Sequence, residues 1–182
     1  MIFSKKIFWY TAAMAAVICL SNYLVQFPFN HFQLNEIITW GAFTYPVSFF
    51  VTELANRFFG KEFARKIVFT GFFVGIILSF ILSLQEFILS RIVIGSGIAF
   101  LAAQLLDIKV FDFLRNKSWF IPPLVSSLFC SILDTALFFS IAFYGTDVNW
   151  ITLALGDFAV KLLVDFVMLL PFRLAIAKYK VI

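Results

Sequence analysis

Residues 61–84 read KEFARKIVFTGFFVGIILSFILSL. Lys61, Arg65 and Lys66 crowd the start, and no charged residue follows until Glu86. A helix that crosses a bilayer needs about 20 mainly apolar residues, because each residue rises about 1.5 Å and the hydrocarbon core is about 30 Å thick. The run 64–84 meets that requirement and carries its cations at one mouth.

Working outward from it, five further apolar runs appear at roughly 7–27, 40–58, 88–108, 120–143 and 150–172. Six spans with short connections use nearly all of the 182 residues, so the chain reads as one transmembrane domain, 1–182, with no length left for a soluble one. Composition agrees. The chain is 63% hydrophobic and 13% charged, against about 45–50% and about 25% in soluble domains. Pro46 lies inside the second run and predicts a kink. Pro122 and Pro123 open the fifth run, and Pro171 is expected to close the sixth. Lys5 and Lys6 precede the first run as they would in a signal peptide. That run exceeds the about 7–15 residues of a signal core and no cleavage site follows it, so it reads as a retained span.

The basic residues set the orientation. Twelve of the fourteen fall before the first span (Lys5, Lys6), between the second and third (Arg57, Lys61, Arg65, Lys66), between the fourth and fifth (Lys109, Arg115, Lys117) or after the sixth (Arg173, Lys178, Lys180). The other connections, 28–39, 85–87 and 144–149, hold no Lys or Arg. The positive-inside rule makes the basic side cytoplasmic, with both termini on it. The net charge of +4 is therefore a topology signal and gives no reason to expect nucleic acid. The connection 109–118 reads equally well as a short interfacial helix or as a loop.

Cysteine and histidine offer little chemistry. Cys19 and Cys130 fall inside apolar runs, where free cysteine acts as a small hydrophobe. His31, the single histidine, falls in the 28–39 connection. Neither a metal site nor a bound cofactor is expected, and no Ser/His pair, zinc motif or phosphate-binding glycine loop supports an intramembrane enzyme.

The informative residues are the polar ones inside the spans, since a charge at a helix centre costs about 2.5–3.5 kcal/mol on insertion scales. Asp157, Lys161 and Asp165 are spaced by four and share one face of the sixth span. With a rise of about 1.5 Å per residue, Asp157 lies about 10 Å from the outer surface and Lys161 near mid-membrane. Asp134 of the fifth span reaches a similar depth. An outer polar layer follows, of Asn22, Tyr45, Arg91, Asp134, Asp157 and Lys161, with Trp40 beside it. An inner layer holds Glu53, Asn56, Gln104 and Asp107, in which Glu53 is spaced to pair with Arg57. Ion pairs that glue helices together explain part of this, and Arg91 is also placed to snorkel. Polar groups at one depth on four or more helices exceed what packing needs and point to a cavity that binds a polar solute. Carboxylates, an amide and a cation framed by aromatics suit a flat heteroaromatic ligand. Purines, pterins, flavins and other vitamins all satisfy that description. In the first span, Ala12 and Ala16 form a small-xxx-small face for internal packing or for docking to a separate membrane subunit.

These residues also carry a resemblance. The stretches Ser21-Asn22-Tyr23-Leu24-Val25-Gln26, Thr39-Trp40-Gly41-Ala42-Phe43 and Thr52-Glu53-Leu54, with Arg57-Phe58-Phe59-Gly60, are similar to the YhhQ-type queuosine precursor transporters of the bacterial vitamin uptake transporter family. So are Ala64-Arg65-Lys66-Ile67, Gln104-Leu105-Leu106-Asp107, Val110-Phe111, Asp134-Thr135, and Asp157 with Lys161. The resemblance covers nearly the whole chain in order. It implies a six-helix inner-membrane protein, similar in shape to the substrate-binding subunits of energy-coupling-factor transporters. It implies import of 7-cyano-7-deazaguanine, with 7-aminomethyl-7-deazaguanine as a second candidate. On that basis the expected substrate contacts are Asn22, Trp40, Tyr45, Glu53, Arg91, Gln104, Asp107, Asp134, Asp157 and Lys161. Asp134 and Asp157 would accept from the base, and Lys161 would donate to its carbonyl or balance the acids. Glu53, Gln104 and Asp107 would form an inner gate or a second contact set. Family members lack an acid at Asp165, which is expected to tune or neutralise Lys161. The partners implied are the small-molecule base and the lipid bilayer, and a homo-oligomer is compatible. The rival readings are a binding subunit energised by a separate ATP-driven module and a non-transporting membrane scaffold.

Overall fold

A computed structural model of the chain describes residues 2–29, 38–84 and 90–178. His31, the connection 85–87 and Lys180 lie outside the described residues. The described chain forms seven helices and no strand: α1 (Ile2–Leu24), α2 (Gly41–Thr44), α3 (Val47–Phe59), α4 (Lys61–Leu84), α5 (Ser90–Leu114), α6 (Ile121–Phe143) and α7 (Trp150–Lys178).

Among the described residues, four helices are long and apolar enough to cross a membrane: Lys5–Leu24, Lys61–Leu84, Ser90–Leu114 and Ile121–Phe143. The other two expected spans depart from the simple pattern for physical reasons. The α7 helix carries Asp157, Lys161 and Asp165, all buried. The second run is divided into α2 and α3 at Tyr45 and Pro46, both in right-handed helical conformation (φ −61° and −60°). Proline has no N–H to return to the carbonyl four residues back, so the hydrogen-bond ladder breaks while the chain direction persists.

Two boundary expectations are corrected. The 109–118 stretch contains neither a separate interfacial helix nor a plain loop at its start, because α5 continues through Leu114. Pro171 does not close the last span, because α7 runs on to Lys178. Beyond that proline, Phe172 packs edge-on against Phe111 (6.2 Å) and the Arg173 guanidinium lies 4.9 Å from the Trp119 ring. These contacts hold the last turns in place.

The α3 helix touches every other helix, with α4 and α5 its largest neighbours. Around it α1 packs on α4, α4 on α5, α5 on α6 and α6 on α7, while α2 bridges α1 and α7. One apolar cluster (Met14, Ile18, Ala55, Phe63, Ile67, Phe100) ties α1, α3, α4 and α5. The α1–α4 contact is close because Gly71 and Gly75 face Met14 and Ile18; a Cβ on Gly71 would lie 2.5 Å from Met14 Cγ. This is a small-xxx-small seam on α4. The expected one on α1 does not pack internally, since Ala12 and Ala16 are exposed. Exposed Phe73, Ile77, Phe80 and Ile81 of α4 and Leu163, Phe166, Val167 and Leu170 of α7 give the outer surface an apolar character suited to lipid.

The basic segments meet at one end of the bundle. Lys6 sits 4.8 Å from the Phe59 ring, Lys61 pairs with Asp112 at 3.3 Å, and Arg115 donates to the Asn56 carbonyl at 2.8 Å. At the opposite end Phe29 N–H donates to the Ile38 carbonyl at 2.9 Å, and Arg91 donates to the Tyr144 carbonyl at 2.8 Å.

Candidate functional site

The interrupted α2–α3 segment, α1, α5, α6 and α7 form a pocket lined by Ser21, Asn22, Val25, Gly41, Tyr45, Ser96, Asp134, Phe138, Asp157 and Lys161. Gly41 is required here: a Cβ would lie 2.8 Å from the Val25 backbone, so only glycine lets α2 approach the end of α1.

A buried charge relay forms one wall. Lys161 is 2% exposed, Asp134 1% and Asp157 5%. The Lys161 ammonium donates to Asp134 Oδ2 at 2.7 Å and to Thr135 Oγ1 at 3.1 Å, and lies 2.5 Å from Asp157 Oδ2. Its three hydrogens are thereby matched to three acceptors. Thr135 in turn donates to Asp157 Oδ2 at 3.1 Å. The Tyr45 hydroxyl donates to Asp134 Oδ1 at 2.8 Å, and its ring stands 5.0 Å from the ammonium. Two carboxyl groups converge on one ammonium in this wall. The Ser96 hydroxyl is buried with no partner among the described residues. Asn22 donates to Ser79 at 3.0 Å, which fixes its amide in the wall.

Of the sequence-derived candidates, the structure gathers Asn22, Tyr45, Asp134, Asp157 and Lys161 in this cavity. Trp40 is half exposed and packs on Phe29 (4.8 Å) and Phe43 (6.1 Å). Arg91 turns away, giving its guanidinium to the carbonyls of Ile141 (3.5 Å) and Tyr144 (2.8 Å) at the end of α6, where the helix leaves acceptors unpaired.

Glu53, Gln104 and Asp107 belong to a second, inner polar group. Gln104 accepts from Thr52 at 2.5 Å and donates to Ser48 at 2.9 Å. Glu53 accepts from Ser127 at 2.6 Å, not from Arg57, which donates to the Arg115 carbonyl at 3.2 Å. The expected Glu53–Arg57 pair is absent because Arg57 is drawn to the end of α5. Asp165 accepts from Ser131 at 3.1 Å. It makes no ion pair with Lys161, whose hydrogens are already taken, so the expected neutralising contact does not form. Sequence reasoning missed Ser21, Ser96 and Thr135. Ser21 and Thr135 stood in the stretches that carry the resemblance but were not singled out, and a hydroxyl within an apolar run is often explained by packing alone.

Residues 39–176 match the profile of the family described as "Putative vitamin uptake transporter". The chain belongs to that family. Within it, a protein from Escherichia coli (strain K12) named queuosine precursor transporter is 35% identical over 188 residues, covering 92% of this chain and 84% of the relative. A protein from Haemophilus influenzae named probable queuosine precursor transporter is 34% identical, with the same coverage of 92% and 84%. One of the same name from Bacillus subtilis is 26% identical over 77% of this chain and 72% of the relative. These relatives are transporters, not enzymes, and the family assignment makes this chain a membrane transport protein with a small-molecule substrate. No solved structure matches the chain.

Proposed function

We propose that the chain is a single-domain, multi-pass importer of the bacterial inner membrane, with six spans, cytoplasmic termini and a queuosine precursor as substrate. The preferred substrate is 7-cyano-7-deazaguanine, followed by 7-aminomethyl-7-deazaguanine. The observation that carries this reading is the polar pocket beside the buried Asp134–Lys161–Asp157 cluster. A 7-deazaguanine presents an N–H beside an NH₂ and a carbonyl on one edge. Asp157 Oδ1 accepts from that N–H edge, and the unpartnered Ser96 hydroxyl donates to the carbonyl. Phe138 lies against the ring face. Lys161 pairs with both acids. The names of the relatives support the choice of substrate, and the basic end of the bundle supports the orientation.

The test is rescue. In cells that neither make 7-deazaguanines nor import them, this chain restores queuosine to tRNA when the cyano compound is supplied. Asp134→Asn and Lys161→Ala, expressed at the parental level, abolish the rescue. Parental rescue by both variants would sink the site assignment. The exposed Ala12–Ala16 face favours one second reading, in which α1 docks to a separate energising subunit. Uptake by the purified chain alone in liposomes eliminates it.

A further inference from the structure

Besides the cavity, α3, α5 and α7 each turn a carboxyl group into the inner half of the bundle. Glu53, Asp107 and Asp165 are 4%, 0% and 9% exposed, and they face one another electrostatically. Ser127 and Ser131 serve Glu53 and Asp165. Neither oxygen of Asp107 has a hydrogen-bond partner among the described residues. Ser126 faces Asp107, but its hydroxyl is directed to the Pro123 carbonyl at 3.4 Å. No cation forms an ion pair with the three acids among the described residues, and Lys161 acts on Asp165 only at a distance. Lys161, one turn from Asp165, holds Asp134 and Asp157. Arg57 and Arg115 are turned to backbone carbonyls at the basic end. The other titratable neighbour is the Cys130 thiol of α6, and beyond it lies Asp134.

Buried carboxylates are tolerated when a counter-charge completes them, and here that charge is missing. We propose that Glu53, Asp107 and Asp165 form a proton-binding site that couples substrate import to proton entry, a proposal that rests on the transport reading above. A proton on any one of them neutralises a buried carboxylate. The three groups do not converge as the ligands of a metal ion would, which favours the proton over sodium. Glu53, Ser127, Asp165 and Pro46 line one small pocket, which gives the site access. Pro46 follows Tyr45, which holds Asp134, so the hinge between α2 and α3 touches both sites. One proton enters from outside with each substrate and leaves on the cytoplasmic side.

The experiment uses the purified full chain in liposomes loaded with a pH-sensitive dye, with 7-cyano-7-deazaguanine as the probe. Counterflow exchange, which needs no driving force, is measured beside net accumulation under an inward proton gradient. The parent exchanges substrate, accumulates it about tenfold per pH unit of gradient at one proton per substrate, and acidifies the lumen when substrate is added. Asp107→Asn and Glu53→Gln still exchange but lose gradient-driven accumulation and acidification. The dye signal of the parent needs no variant and decides the matter if the variants fail to fold. Accumulation indifferent to the proton gradient, accumulation driven by a sodium gradient instead, or variants that still accumulate would each overturn the coupling site while leaving transport intact. Absence of exchange by the parent would overturn the transport reading, and this proposal with it.

Discussion

Lys161 and Ser96 occupy one cavity in opposite conditions. Every hydrogen of the Lys161 ammonium is committed, whereas the Ser96 hydroxyl has no partner among the described residues. Replacing Lys161 with Met strands two buried carboxylates. We expect a loss of about 3–5 kcal/mol, read as a lower unfolding midpoint in detergent, with part of it recovered by adding Asp134→Asn. Replacing Ser96 with Ala leaves the empty protein within about 0.5 kcal/mol of the parent. It weakens substrate binding by about 0.5–1.5 kcal/mol, the worth of one hydrogen bond, read as a smaller ligand-induced thermal shift. Asp134, Asp157 and Lys161 were legible in the sequence because ionisable residues inside apolar runs are expensive. Ser96 was not, because hydroxyls in spans are cheap and common. Arg91 was misplaced because depth along a helix says nothing about azimuth. The guanidinium sits at the expected level and reaches around to the carbonyls ending α6.

The elements turn on glycine and proline. Gly71 and Gly75 let α4 close on α1, and a Cβ at Gly71 would meet Met14 at 2.5 Å. Gly71→Ala should cost about 1–3 kcal/mol by overpacking, while Ala12→Leu on the exposed face of α1 should stay within about 0.5 kcal/mol. Thermal unfolding of the two variants side by side checks both. The alanine-rich stretch drew attention in the sequence, yet the glycine pair four residues apart on α4 forms the seam. Composition locates small residues, but only packing shows which face meets a neighbour. Pro46 interrupts the α2–α3 ladder between Tyr45, bonded to Asp134, and a helix buried on many sides. Pro46→Ala restores an N–H able to reach the Ala42 carbonyl and joins α2 to α3 in one stiffer helix. Uptake falls as Tyr45 moves from Asp134, with folding stability little changed. Normal uptake by a stable Pro46→Ala protein would remove the hinge from the mechanism.

At the scale of the whole molecule, the order of apolar runs and basic connections was legible early, because lipid and water impose opposite demands on consecutive segments. The long α5 and α7 overran their expected ends. Helix–helix packing and cation–π contacts at the basic end extend them past the point where hydropathy fades. Reporter fusions at either terminus should be active in the cytoplasm, and a reporter in the 144–149 connection should be active outside. A split between the two termini would contradict the six-span arrangement. The clamp on Lys161 has a bearing on what such a carrier refuses. An ammonium whose hydrogens are all committed has none to offer a phosphate. Guanine nucleotides share the recognised edge of the base, yet they should neither enter the cavity nor obstruct it. A large excess of GMP should leave uptake of the free base unchanged, so the carrier works undisturbed in a milieu crowded with phosphorylated look-alikes.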